Sequence, residues 1–507
     1  MTKLIYEEYF GGELKNSENP SLNKLISRWQ YNLIERLKES PKILPPPHSL
    51  ESKTFSVNYS PLIQEDEGTL NLNLQAPSFN LISEFRDVLL KEQYLDEQGN
   101  PNFDKEFKIR KKIFTPKLSG PRGAFLELTP LCLLRCITCY NENTRAESKI
   151  IMPPEKNIKI LEELASFGAN SIALTGGETT LAKEWDNIAK HAKSLGMSVR
   201  IYTCGVYNNQ KSRERVIEKL KEVNPKEIRI TYTGLKSTND NVRITSEGKG
   251  TFDDISETVK QMIEAKLPVK INYTLAHENV SEVAQFIDFV QGFGNGIKIP
   301  INFGPVRSYG AAEKCRKFLF TSPNAEDFYK TNLLISRIRR EQGLDISMTF
   351  DCVDPLSEEI LNIKKEKVKN TPHAYLHQGC GLGRNGIGIA HDGSVNVCGI
   401  MGSNKDLVEH VVKIVEENPE IYRAIGITPQ SLRENKFTNV NSSSIEDIWY
   451  NSPLLNFFQV FYKKEQCEPC DKYKVQCGGI CPGMALKSSG DLRKGDLGCF
   501  KHLMKNG

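Results

Sequence analysis

The chain has no apolar run near the roughly 18 residues that a membrane span requires, and its opening, Met1-Thr-Lys-Leu-Ile-Tyr-Glu-Glu-Tyr9, lacks the long apolar core of a secretory signal. Excess charge of either sign is missing too. With 67 basic residues against 63 acidic, net +4, the balance is too even to suggest a nucleic-acid partner through charge alone. These absences predict a cytoplasmic, soluble protein with neither nucleic acid nor membrane as partner. What the sequence does have is cysteine, thirteen in 507 residues. Without a secretion signal, that many thiols point to metal rather than to disulfides. The length leaves room for about three domains.

Three of the thiols stand close together as Cys132-Leu-Leu-Arg-Cys136-Ile-Thr-Cys139, in C-x3-C-x2-C spacing, with no fourth Cys or His nearby. A structural zinc site or a ferredoxin-type centre wants four protein ligands. A compact trio suits a four-iron cluster whose last iron is kept for something exchangeable. A zinc loop and three unrelated buried thiols remain the alternatives. Further on, Asn170-Ser-Ile-Ala-Leu-Thr175 runs into Gly176-Gly177-Glu178. Glycines at a strand end let backbone approach a ligand, and a carboxylate there can pair with an ammonium. A third feature is Glu227-Ile-Arg-Ile-Thr231-Tyr-Thr-Gly234, followed by Asn239-Asp-Asn-Val-Arg243.

From Gly123 to about Phe303, short β-branched or apolar runs alternate with amphipathic helical windows, the rhythm of a parallel sheet. Strands are predicted over Ala124 to Thr129, Ser171 to Thr175, Ser198 to Thr203, Glu227 to Thr231, Val269 to Leu275 and Ile297 to Phe303. Helices are predicted near Glu155 to Phe167, Leu181 to Leu195, Arg213 to Val223, Phe252 to Ala265 and Val280 to Phe293. The fold class is α/β: six such units make an open, partial (β/α)6 TIM barrel, which places its chemistry at the C-terminal ends of its strands. The cysteine trio, the Gly-Gly-Glu, Thr203-Cys204-Gly205, Thr231, and Asn302 with Arg307 all fall at such ends.

A second cysteine set lies toward the other end: Cys380, Cys398, Cys467, Cys470, Cys477, Cys481 and Cys499. Its pattern is C-x12-G-x4-C, then C-x2-C-x6-C-x3-C, then C; a zinc ribbon would suit part of it. Together the two sets and the Gly-Gly-Glu resemble the radical SAM superfamily, and within it the enzymes with a C-terminal SPASM domain. The resemblance covers about Gly120 to Phe500. It implies four regions: an N-terminal α+β extension (1–115), the partial barrel (116–315), a bridging helical segment (316–372) and a Cys-rich SPASM domain (373–507).

The resemblance also implies cofactors and roles. Cys132, Cys136 and Cys139 would hold a [4Fe-4S] cluster whose open iron chelates S-adenosyl-L-methionine (SAM), reductive cleavage of which yields a 5′-deoxyadenosyl radical. Gly176, Gly177, Glu178, Thr231 and Arg243 would contact SAM. The family usually reads His-Asp where this chain has Asn239-Asp240. Two auxiliary iron–sulfur clusters would follow: a far one on Cys467, Cys470, Cys477 and Cys499, and a near one on Cys380, Cys398 and Cys481, one ligand short. Sulfatase-maturating members fill that place with another Cys, absent from Gly381 to Gly388, and carry an Asp where this chain has Gly399; that activity is disfavoured. Cys204, Cys315 and Cys352 are left over, each by default a small buried hydrophobe. Cys204 is a candidate beside SAM, and Cys352 a candidate catalytic hydrogen donor.

The substrate implied is a ribosomally made peptide or protein, modified by crosslinking, epimerisation or backbone excision. Expected partners are an electron donor such as flavodoxin or ferredoxin and a separate leader-peptide recognition protein. A dehydrogenase or epimerase acting on a small molecule is the second reading, and a non-catalytic iron–sulfur or zinc protein the third. The N-terminal region says least: a helix over Leu22 to Leu37, a break at Pro45-Pro-Pro47, a strand over Thr69 to Leu74 and a helix over Phe79 to Leu90. That order does not match the winged-helix module of many peptide-modifying relatives.

Overall fold

The computed structural model describes strands at 53–59 and 68–74, then residues 120–141, 150–320, 325–348, 383, 386–398, 405–417, 419, 422, 427–460, 483, 485–486 and 490–493. The first two strands, β1 (Lys53–Tyr59) and β2 (Gly68–Leu74), pair antiparallel as a separate sheet. The expected strand at Thr69 to Leu74 is therefore present. Leu22 to Leu37 and Phe79 to Leu90 lie outside the described residues.

The main sheet has nine strands. Its centre is the predicted series: β3 (Gly123–Glu127), β4 (Ser171–Thr175), β5 (Ser198–Thr203), β6 (Glu227–Tyr232), β7 (Val269–Leu275) and β8 (Ile301–Pro305), each parallel to its neighbour. Two additions were not foreseen. β9 (Ile346–Met348) joins β8 in parallel, and β10 (Gly386–Ile389) pairs in parallel with β3, with β11 (Val395–Asn396) antiparallel outside it. The barrel stays open, and strands from the segments expected to bridge and to bind auxiliary clusters extend both edges of its sheet. Covering β3 this way removes an exposed row of backbone donors and acceptors.

The helices follow from local chemistry. In α1 (Pro154–Ser166) a proline occupies the first turn, where its missing N–H costs nothing, and Ile160, Leu161 and Leu164 are buried. The next helix, α2 (Trp185–Ser194), starts four residues later than predicted. Glu184 is left-handed at φ 56°, so Thr179–Leu181 closes as a separate 3-10 turn. α3 (Gln210–Val223) is capped by Asn209, whose side chain accepts from Ser212 N–H. A short helix the sequence reading missed, α4 (Lys236–Val242), follows β6; then come α5 (Phe252–Glu264) and α6 (Val283–Gly292). The last barrel strand begins at Ile301 rather than Ile297, because Asn295 and Gly296 are left-handed and Gln291 binds the backbone of Ile299 from both sides. Beyond it lie α7 (Ala325–Gln342), α8 (Lys405–Glu417), α9 (Pro429–Arg433), α10 (Ile445–Asn451) and α11 (Pro453–Val460). One apolar core runs from β3 through Trp449 and Phe457, so the barrel and the described C-terminal helices share one core.

Candidate active site

The cysteine loop leaves the end of β3 and is fastened at three places. At its start, Gly177 N–H donates to Thr129 O and Glu178 N–H to Leu131 O, both at 2.7 Å. A Cβ on Gly176, at φ 144°, would come within 2.4 Å of Thr129 O, and one on Gly177 within 2.2 Å of Leu131 O. In the structure the close approach these glycines permit is to the cysteine loop's own backbone. In the middle, Arg135 N–H donates to Ile244 O at 2.7 Å and Ile137 N–H to Val242 O at 3.1 Å, with Leu134 bridged to Thr245. At the end, Ala311 N–H donates to Cys139 O at 2.9 Å. Segments following β4, β6 and β8 thus hold the loop.

Cys204 is where the predicted site residues meet. Its N–H donates to Glu178 Oε2 at 2.6 Å, and its carbonyl accepts from Arg243 Nη2 at 3.5 Å. Its thiol lies against Cys132, and that contact, burial and the Glu178 carboxylate push the thiol's pKa well up. Glu178 is 1% exposed, and its Oε1 accepts from Thr180 N–H, Thr180 Oγ1 and Thr203 Oγ1 at 2.7 to 3.0 Å. Its carboxylate is therefore a brace across the ends of β4 and β5.

Arg243 is 8% exposed, and its Nε is buried without a hydrogen-bond partner. Such an unpaired donor on a cation is costly unless an anion completes it. Asn239 and Asp240 keep it there. Asn239 Oδ1 accepts from Thr233 N–H at 3.2 Å, its carbonyl accepts Arg243 N–H, and Asp240 Oδ1 caps α5 through Thr251 and Phe252 N–H, both at 2.7 Å. The departure from His-Asp thus still anchors the arginine. Thr231 stands on the inner face at the end of β6, opposite Asn272 in register.

Glu127, Asn141 and His391 were missed. Glu127 Oε1 accepts from Asn141 Nδ2 at 2.8 Å, and Oε2 lies 3.4 Å from Nδ1 of His391, which has no exposed surface. This tie joins β3, the residue two past Cys139, and the β10–β11 turn; Tyr140 beside it has its pKa raised by burial and by Glu127. The signal available was an acidic residue inside an otherwise apolar strand. Asn302 accepts from Ser347 Oγ at 3.0 Å on the inner face of β8, and Arg307 lies just beyond that strand. Cys398 ends the β10–β11 hairpin, partly buried. Cys352, Cys380, Cys467, Cys470, Cys477, Cys481 and Cys499 lie outside the described residues.

The donor set fits the implied cofactors. Three thiols on one backbone-pinned loop suit a cluster, and an incomplete buried guanidinium beside them suits a carboxylate. Among the described residues no three His, Cys, Asp or Glu side chains converge on a single metal ion. A cluster does not ask for that, since each thiolate binds a different iron. Among the same residues, no helix is long and apolar enough to cross a membrane.

Residues 126–290 match the model of the radical SAM superfamily, and residues 380–471 that of the SPASM iron–sulfur cluster-binding domain. The chain is similar to Fe-coproporphyrin III synthase of Methanosarcina barkeri, 28% identical over 32% of this chain and only 39% of that one. It is similar to PqqA peptide cyclase of Rhizobium meliloti, 22% identical over 77% of this chain and 90% of that one. Its fold resembles that of Streptococcus suis SuiB bound to precursor peptide SuiA, with TM-score 0.53 and 15% identity, covering 93% of this chain and 88% of SuiB.

Proposed function

Since the chain is a member of the radical SAM superfamily with a SPASM domain toward its C-terminus, we propose that it modifies a ribosomally made peptide or protein. Its cofactors are SAM and iron–sulfur clusters, which when bound supply a 5′-deoxyadenosyl radical that abstracts hydrogen. The chain's own residues bind and orient. Cys132, Cys136 and Cys139 hold the cluster of the barrel, with their loop pinned by the ends of β4, β6 and β8. Arg243 takes the SAM carboxylate on its unpartnered Nε, and Glu178 with Thr231 lines the same strand ends. Cys380, Cys398, Cys467, Cys470, Cys477, Cys481 and Cys499 hold two auxiliary clusters, and Cys352 is the candidate hydrogen donor.

The observation that carries this reading is the buried, incomplete Arg243 next to Cys204, whose thiol touches Cys132. The preference for a peptide is supported by the likeness to PqqA peptide cyclase along most of both chains. We place the enzyme in the cytoplasm, with reduced flavodoxin or ferredoxin as electron donor and a separate protein presenting the substrate's leader.

Anaerobically reconstituted protein given SAM and a reductant should form 5′-deoxyadenosine. A short peptide encoded beside its gene should raise that rate and return altered in mass or in hydrogen content. Stimulation by a small metabolite, with every such peptide unchanged, would replace this reading by the small-molecule one.

A further inference from the structure

The inner face of the barrel wall is not apolar. With a side-chain period of two, β5 presents Arg200 and Tyr202 inward, β6 presents Glu227, Arg229 and Thr231, and β7 presents Lys270, Asn272 and Thr274; Ile201, Ile230 and Ile271 face the helices. Parallel strands buried on both faces normally read as near-continuous apolar runs. Across β5 to β7 the wall carries Arg200, Arg229 and Lys270 against one carboxylate, Glu227; Glu127, on the same face of β3, is already engaged by Asn141 and His391. Arg229 donates through Nε to Glu227, and its guanidinium stacks 5.4 Å from the centre of the Tyr202 ring. Tyr202 in turn meets Phe125 of β3.

Lys270 is different. It is Arg229's register neighbour on the same face, so the two backbones run about 4.8 Å apart. It is 9% exposed, and no hydrogen bond or ion pair to it is found among the described residues. Asn272, next inward on β7, has a buried Oδ1 without a partner. Two cations side by side with one counter-charge repel each other, and the Lys270 ammonium, which has no acceptor among the described residues and is not itself among the fully buried polar atoms, is open to an incoming anion.

We propose that Lys270 and Arg229, with Arg200 behind them, form a subsite for a carboxylate of the substrate: an Asp or Glu side chain, or a peptide's C-terminus. Asn272 Oδ1 accepts an N–H of the same molecule. This rests on the peptide-modifying reading and narrows it to a peptide that brings an acidic group into the barrel. The SAM carboxylate is not the occupant, because Arg243 serves it at the strand ends.

The test uses the full, reconstituted, SAM-loaded protein and three capped peptides: Ac-Ala-Ala-Glu-Ala-NH2, its Gln counterpart, and Ac-Ala-Ala-Gln-Ala with a free C-terminal carboxylate. Binding is followed by saturation-transfer NMR. Either carboxylate-bearing peptide should bind at least about tenfold more tightly than the neutral one, and which does so identifies the source. K270M should abolish the preference while leaving SAM affinity within about twofold and substrate-free 5′-deoxyadenosine formation intact. K270M should also melt no lower than wild type, since it deletes an uncompensated charge; if it does not fold, R200Q, at a half-buried position, takes its place. Equal binding of all three peptides, or a preference that survives the variant, overturns the subsite. Loss of SAM affinity in K270M overturns it also, by showing that the lysine serves SAM. Failure of wild type to cleave SAM would instead overturn the radical SAM reading itself.

Discussion

At the residue scale, the site separates charges that brace from charges that wait. Glu178 is held by four donors and Arg243 Nε by none, so the two should respond differently to deletion. R243M should weaken SAM binding by roughly tenfold or more, the worth of a charge-assisted contact, with iron content and melting temperature unchanged. E178A should weaken SAM binding and also lower the melting temperature, because Thr180, Thr203 and Cys204 lose their acceptor. Equal thermal behaviour of the two variants would show that Glu178 is no brace. Gly177 makes a sharper case: an added methyl meets Leu131 O at 2.2 Å, and backbone cannot swing aside as a side chain does. G177A should therefore lose the iron held by the cysteine loop. G292A, with open space around it, should keep every iron and serves as the control.

At the scale of elements, much was legible, and what was not has a physical cause. The strands β3 to β8 and their helices announce themselves by local periodicity. The site motifs read clearly because each sits where such a strand ends. β10 and β9 were hidden because a strand of three or four residues has little period to read, and its partner is far away in sequence. Lys270 and Arg229 alternate with buried apolar residues in strands read for their apolar positions, so their inward face emerged only from the register. The α4 helix escaped notice through its composition: Lys236-Ser-Thr-Asn-Asp-Asn-Val242 is poor in helix formers and is held by Asn239 and Asp240 instead. The pairing of β10 with β3 has a consequence for domain independence. A chain ending at residue 372 would leave β3 an open edge with Ala124 and Leu126 beneath it. It should aggregate or melt well below the full chain. A truncated chain that stays monomeric with an unchanged melting profile would show that the barrel does not need the hairpin.

At the scale of the molecule, the Glu127–His391–Asn141 tie and the bond from Tyr309 Oη to Gly483 O at 2.7 Å lash described C-terminal residues to the segments around the cysteine loop. Both ties are buried, so they couple the barrel to the described C-terminal residues mechanically without depending on salt. Ten cysteines distributed over the loop and the C-terminal region should hold three clusters, close to twelve irons in the anaerobically reconstituted protein. Replacing Cys132, Cys136 and Cys139 together by Ala should remove about a third of that iron and all 5′-deoxyadenosine formation. The remaining two thirds should stay, since the auxiliary cysteines lie on other segments, and the ties at Glu127 and Tyr309 involve none of the three replaced side chains. Two results would be decisive. Continued SAM cleavage by the triple variant would end the assignment of the loop as the radical-generating site, and loss of all iron would mean that the clusters are built as one cooperative unit rather than three.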